Sequence, residues 1–192
     1  MTKFEAMSHM LIKKISNQVS EVQHLEIFSV ERPLSIHLFA YLEYIQDELD
    51  CCDTVFALAY LYIEKLLKNF PRFVINASNL FRLTFTALII ALKFTEDNKF
   101  PYEDLAKLGH INAKELSVLE EVLLSSLNYE LWDEEIVKKS QDLLNVWNNF
   151  NICSDTEYEE ESEDVGSEST NFTESFDDLS NLSELSAFFT DI

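Results

Sequence analysis

Side chains able to do chemistry are few in this sequence, and their spacing does not assemble a reaction centre. Cys51 and Cys52 are adjacent and Cys153 lies far along the chain. An odd number with neither zinc-ligand spacing nor a disulfide framework is expected to stay as reduced thiols. The four histidines, His9, His24, His37 and His110, are scattered, with no pair at a metal-binding helical spacing beside a carboxylate. The sequence has no glycine-rich phosphate loop, no G-x-S-x-G elbow and no H-E-x-x-H. With two glycines, Gly109 and Gly166, a backbone that must wrap closely around a phosphate is hard to build. No catalytic residue, metal site, cofactor or small-molecule substrate is therefore expected.

What remains is a pair of charged residues beside apolar stripes. Lys93 follows ten uncharged residues, Leu83 to Leu92. An unpaired buried ammonium would be costly there. Two readings fit: a lysine at a helix C-terminus, favoured by the helix dipole, reaching solvent with Glu96 and Asp97 as partners, or a contact to another protein. Glu120 poses the same question at the edge of the stripe Leu116, Leu119, Leu123 and Leu127, where it is either a solvated flank residue or a contact.

The elements that carry these two residues are helices. Apolar residues make up 47% of the 192, fifteen of them Phe, while glycine and proline together number five, too few for the turns that sheets need. Phe4, Met7, Leu11, Ile15, Val22 and Leu25 recur at helical intervals and predict one amphipathic helix ahead of the main body. A helix is predicted from Pro33 through Leu34, Leu38, Tyr41, Leu42 and Ile45 to the Asp50 region. Asp53 is a candidate cap for a well-buried helix from Thr54 to about Asn69, which stops before Pro71. The Leu83–Leu92 run, with Asn76 or Ser78 as its cap, predicts a helix surrounded by others, the hub of the bundle. Pro101 opens a short helix that ends at Gly109, and Asn112 caps the next, with Glu115 placed as in a capping box. A last helix, Glu134 to Phe150, has Ile136, Leu143, Leu144, Trp147 and Phe150 on its apolar side.

Charge divides the chain. Fourteen basic against 35 acidic residues give −21, which argues against nucleic acid or an anionic membrane as partner. No window reaches the roughly 20 apolar residues of a membrane span, and residues 1–20 lack the apolar run and cleavage site of a secretory signal, so an intracellular place, nuclear or cytoplasmic, is expected. Residues 151–192 hold thirteen Asp and Glu and no Lys or Arg; without them the remainder carries −8. This segment lacks the apolar density to fold alone and is expected to be disordered. Ser154, Ser162 and Ser167 each precede an acid and are candidates for acid-directed phosphorylation. Leu179, Leu182, Leu185, Phe188, Phe189 and Ile192 repeat at near-helical spacing and could fold onto a partner.

Four stretches, "RPLSIHLFAYLEYI", "FALAYLYIEKLL", "INASNLFRLTFTALIIALKFTED" and "YEDLAKLGHINAKELSVLEEVLLSSLNYELW", stand in the order and spacing of a cyclin box. The segment from Pro33 to Trp132 resembles that box, and within it the phosphate-pathway (Pho-type, P/U-type) cyclins. The resemblance implies five packed helices at 33–132; with the periodicity and charge above, the expected all-α fold is that box between flanking helices within 1–32 and 133–150, followed by the acidic tail at 151–192. It implies a non-catalytic regulatory subunit that binds and activates a cyclin-dependent protein kinase, with the third and fifth box helices forming the binding face. Lys93 and Glu120 fall on the family's kinase-contacting lysine and glutamate, and Ile90, Phe94, Leu124, Tyr129 and Leu131 on the apolar contacts around them. Ordinary core packing is the other reading of those five. The departures are Ser35, where cell-cycle cyclins carry a structural arginine, and Glu64 in place of its aspartate partner, so that internal ion pair is expected to be absent. Tyr41 and Tyr44 stand where those cyclins have a tryptophan and an acidic residue in a substrate-docking patch, which argues against recruitment of basic-hydrophobic motifs. No second cyclin fold is expected after Phe150. The competing reading is a cyclin-fold helical adaptor that does not activate a kinase.

Overall fold

The computed structural model describes residues 2–16, 22–33, 35–97 and 100–153, the side chains of 150–153 excepted. Among these there are seven α-helices, one 3-10 helix and no strand: α1 (Lys3–Ile12), the 3-10 helix (Gln23–Phe28), α2 (Leu38–Leu49), α3 (Asp53–Asn69), α4 (Leu80–Thr95), α5 (Tyr102–Leu108), α6 (Ala113–Ser126) and α7 (Glu134–Cys153). The all-α expectation holds, with five central helices, α2 to α6, between α1 and α7. The acidic tail beyond Cys153, with its serines and its apolar repeat, lies outside the described residues, as does Leu34.

Each helix buries the face that its sequence marks. On α2 the buried residues are Leu38, Tyr41, Leu42, Ile45 and Leu49, a single stripe at three- and four-residue steps. Asp50 then ends the helix in the left-handed region at φ 44°, which Asp tolerates. The run Leu83–Leu92 is buried throughout, and α4 packs on α3, α6 and the 3-10 helix. It shares the centre with α3, which also carries α7 and α1. Leu116, Leu119, Leu123 and Leu127 are all fully buried, as their stripe requires.

Local chemistry corrects four expectations. The N-terminal periodicity belongs to two elements: α1 starts at a complete Thr2–Glu5 capping box and ends at Ile12, Ile15 bridges to Ile75, and Leu25 sits in the 3-10 helix. Helix α2 begins at Leu38, five residues after Pro33; proline suits a first turn without imposing one. Asp53 is the first residue of α3, its carboxylate taken by Lys3, while Glu96 at the end of α4 accepts the Cys52 N–H at 2.7 Å. Asn112 Oδ1 accepts from the Glu115 N–H at 2.8 Å, but the Glu115 carboxylate turns to Arg82 at 2.8 Å, so a reciprocal box does not form.

Glu64, expected from the sequence to lack an internal ion pair, has one with Lys14. Glu64 on α3 is held by Lys14, from just beyond α1, at 2.8 Å and by the Tyr60 hydroxyl at 2.7 Å. With Lys3–Asp53, this makes two ion pairs that pin the N-terminal segment to α3.

Candidate functional site

Lys93 comes from the last turn of α4 and Glu120 from the middle of α6. These helices pack together, and the two side chains meet: Lys93 Nζ donates to Glu120 Oε1 at 2.6 Å. Glu96, offered above as a partner for Lys93, is occupied at Cys52 instead. The Lys93 side chain is 40% exposed and that of Glu120 12%. With the lysine open to water, such a pair contributes on the order of 1 kcal/mol to stability. Chemically it offers both a donor and an acceptor at one spot. The ammonium has two further protons and each carboxylate oxygen a second lone pair, so the pair can still take up a backbone C=O and an N–H from outside.

A third residue joins them, one that its sequence did not single out. Tyr102, the first residue of α5, donates its hydroxyl to Glu120 Oε2 at 2.7 Å, and its ring centroid lies 4.3 Å from Lys93 Nζ. Burial first, then the hydrogen bond and charge of Glu120, push the phenol's pKa above its usual value. The proton therefore stays on tyrosine.

The same helices and the turn that follows α6 expose aromatic side chains. Phe94 is exposed and packs on Trp132, ring centroids 5.8 Å apart, and Trp132 is itself 51% exposed. Tyr129 is 65% exposed. Leu124 and Leu131 are half-buried, while Ile90 is buried in the core beneath. The seven residues singled out in the sequence thus fall on α4, α6 and the turn after α6; Trp132 adds to them without having carried any periodic signal.

The turn that presents Tyr129 is strained and anchored. Asn128 and Tyr129 have φ of 55° and 58°, a left-handed conformation uncommon for any side chain and an outlier for a bulky one. Tyr129 N–H donates back to Leu124 O at 2.9 Å. From below, Lys65 of α3 donates to the Glu130 carbonyl at 3.0 Å and reaches Asp133 Oδ2 at 3.1 Å, and Asn69 Nδ2 donates to Ser126 O at 3.1 Å. Partial burial works against the Lys65 ammonium, but hydrogen bonds with Asp133 and Glu130 outweigh it and raise its pKa. Among the described residues no group of His, Cys, Asp and Glu is arranged to hold a metal ion, and no helix is long and apolar enough to cross a membrane.

A family model for cyclins matches residues 3–131, two thirds of the chain and every element from α1 to the turn after α6. The chain belongs to the cyclin family. This cyclin is similar to cyclin-U4-3 of Arabidopsis thaliana, 30% identical over 128 residues that cover 66% of this chain and 58% of that protein. It is also similar to cyclin-U4-1 of the same plant, 32% identical over 127 residues (66% and 61%), and to cyclin-P4-1 of Oryza sativa subsp. japonica, 28% over 97 residues (50% and 46%). Its box thus resembles the P- and U-type cyclins, and the matched part spans less than two thirds of those relatives' length.

Proposed function

We propose that this cyclin is the regulatory subunit of a cyclin-dependent serine/threonine protein kinase, which it binds and activates through the face built by α4, α6 and the turn after α6. The observation that carries the reading is the Lys93–Glu120 pair, its lysine open to water, on helices and a following turn that also expose the aromatic side chains of Phe94, Tyr129 and Trp132. Clustered aromatics around a polar pair are the composition of a binding hot spot. Backbone strain at Tyr129 agrees, since strained conformations held by their surroundings gather at functional sites.

In this reading Lys93 donates to a backbone carbonyl of the kinase and Glu120 accepts from a backbone N–H. The aromatic cluster and Leu124 and Leu131 bury the apolar side of the kinase's regulatory helix, with Ile90 beneath them. The cyclin supplies position rather than chemistry: it holds that helix inward, where its glutamate pairs with the ATP-binding lysine. Moving the kinase from 1:99 to 99:1 in favour of the active arrangement needs about 5.5 kcal/mol of preferential binding. Such a complex works inside the cell, in nucleus or cytoplasm, and a net charge of −21 keeps nucleic acid and anionic membranes from competing for the chain.

The test is affinity capture from the source cell by wild type and by Lys93→Glu, Glu120→Lys and Trp132→Ala, all of which replace side chains outside the core. Wild type should retain a cyclin-dependent kinase with phosphotransfer activity. The two charge reversals should lose it and Trp132→Ala should weaken it, with unfolding midpoints close to wild type. Retention of the same non-kinase proteins by all four would establish a helical adaptor instead.

A further inference from the structure

We infer that Tyr102 is the positioning residue of the kinase-binding pair, fixing Glu120 through its hydroxyl and Lys93 through its ring so that both charges stand ready at one spacing. The inference rests on the reading of Lys93 and Glu120 as the grip on the kinase.

A lysine–glutamate pair by itself is a poor fixture, because both side chains are long and rotate freely. In the complex the ammonium that orients Glu120 must also serve the kinase with its remaining protons. Tyr102 has no such second duty. It bonds the other carboxylate oxygen, Oε2, at 2.7 Å and leaves Oε1 to Lys93. Its own freedom is small, with two side-chain torsions, a hydroxyl bonded to Glu120 and a ring packed against the Lys93 ammonium. Helix α5 is in turn fixed on α6, its Leu105 and Ala106 buried, and starts directly after Pro101, whose φ is −55°. The chain Pro101–Tyr102–Glu120 therefore ties the start of α5 to the carboxylate, and it remains intact when Lys93 engages the kinase.

The experiment is a double-mutant cycle. Dissociation constants are measured by titration calorimetry for wild type, Tyr102→Phe, Glu120→Gln and the double variant, against the purified kinase that wild type retains. Unfolding midpoints are recorded in parallel. Tyr102→Phe keeps the ring and removes only the hydroxyl, so the fold should survive with a modestly lowered midpoint while binding weakens by up to about tenfold, the scale of ordering one long side chain on association. In the Glu120→Gln background the same change should cost about twofold or less, because the charge that Tyr102 orients is gone. Equal losses in both backgrounds, or no loss in either, would overturn the positioning role while leaving the grip itself intact. If Lys93→Glu and Glu120→Lys also bind that kinase as tightly as wild type, the grip is elsewhere and the reading beneath the inference fails. Retention of no kinase by wild type removes both.

Discussion

Asp133 shows how much a single carboxylate does at the edge of the site. Its Oδ1 accepts from the Ile136 N–H at 2.8 Å, capping α7, and its Oδ2 takes Lys65 at 3.1 Å. The Ile136 amide, with Lys65 adding to it against a burial effect, holds its pKa below the usual carboxylate range. As the pH falls the unfolded chain then takes up the proton first. The contribution is therefore complete above about pH 4, the ordinary aspartate value, and is lost as the pH drops through the lower folded value. Asp133→Asn keeps a cap acceptor and loses the charge, so its deficit in unfolding midpoint against wild type should be full at neutral pH and shrink as the pH falls below about 4, the ordinary aspartate value. Asp133→Ala, which loses the cap as well, should cost about 0.5–2 kcal/mol at neutral pH by denaturant titration. A deficit that does not vary with pH would refute the charge's part. Lys93 and Glu120 were legible at this scale because a charge interrupting an apolar pattern stands out. Tyr102, Trp132 and Asp133 were not, because an aromatic residue or a cap in a connecting segment breaks no period, and its partner is known only once α5, α6 and α3 are in place.

Among the elements, the central helices follow from three- and four-residue apolar spacing, while the junctions do not. The spacing from Phe4 to Leu25 reads as one helix because a short break can preserve the phase of the pattern by coincidence, and only packing reveals α1, the Ile15–Ile75 bridge and the 3-10 helix. The stop of α5 at Gly109 was foreseen, yet for a different reason from the one that operates. Gly109 has an ordinary φ of −83°, and the left-handed residue is His110 at 54°. Glycine is required because the Phe85 ring of α4 lies against it: an added Cβ would sit 2.2 Å from Phe85 Cε1. Phe85 is 1% exposed, so a shift of its ring disturbs other packed neighbours. Gly109→Ala should cost about 1–3 kcal/mol in a denaturant titration, as overpacking does. Combined with Phe85→Leu, the loss should be smaller than the sum of the two single losses, because they share one contact. Simple additivity would show that the ring yields.

For the whole molecule the question is how much chain one core needs. The stretch that resembles a cyclin box in its motifs is 33–132, but α1, the 3-10 helix and α7 bury Met7, Leu11, Phe28 and Trp147 completely or nearly so. Helix α1 packs on α2, α3 and α7, and α7 on α3, so these segments cover the apolar faces of the helices that define the box. Burial of one large apolar side chain is worth about 1.5–3 kcal/mol. Four of them match the entire net stability of an ordinary domain, about 5–15 kcal/mol. The ion pairs Lys3–Asp53 and Lys14–Glu64 fix where the N-terminal segment lands, yet near the surface each adds little to that sum. A fragment 1–157, the compact unit, should therefore unfold in one sharp thermal transition followed by circular dichroism, whereas 33–132 should show a broad one and bind a dye that reports exposed apolar surface. If 33–132 instead melts sharply within a few degrees of the longer fragment, the flanking helices are additions to a box that is stable without them. Loss of the sharp transition would make α1 and α7 part of the core, and would mean that the α4–α6 face can be studied only on the longer fragment.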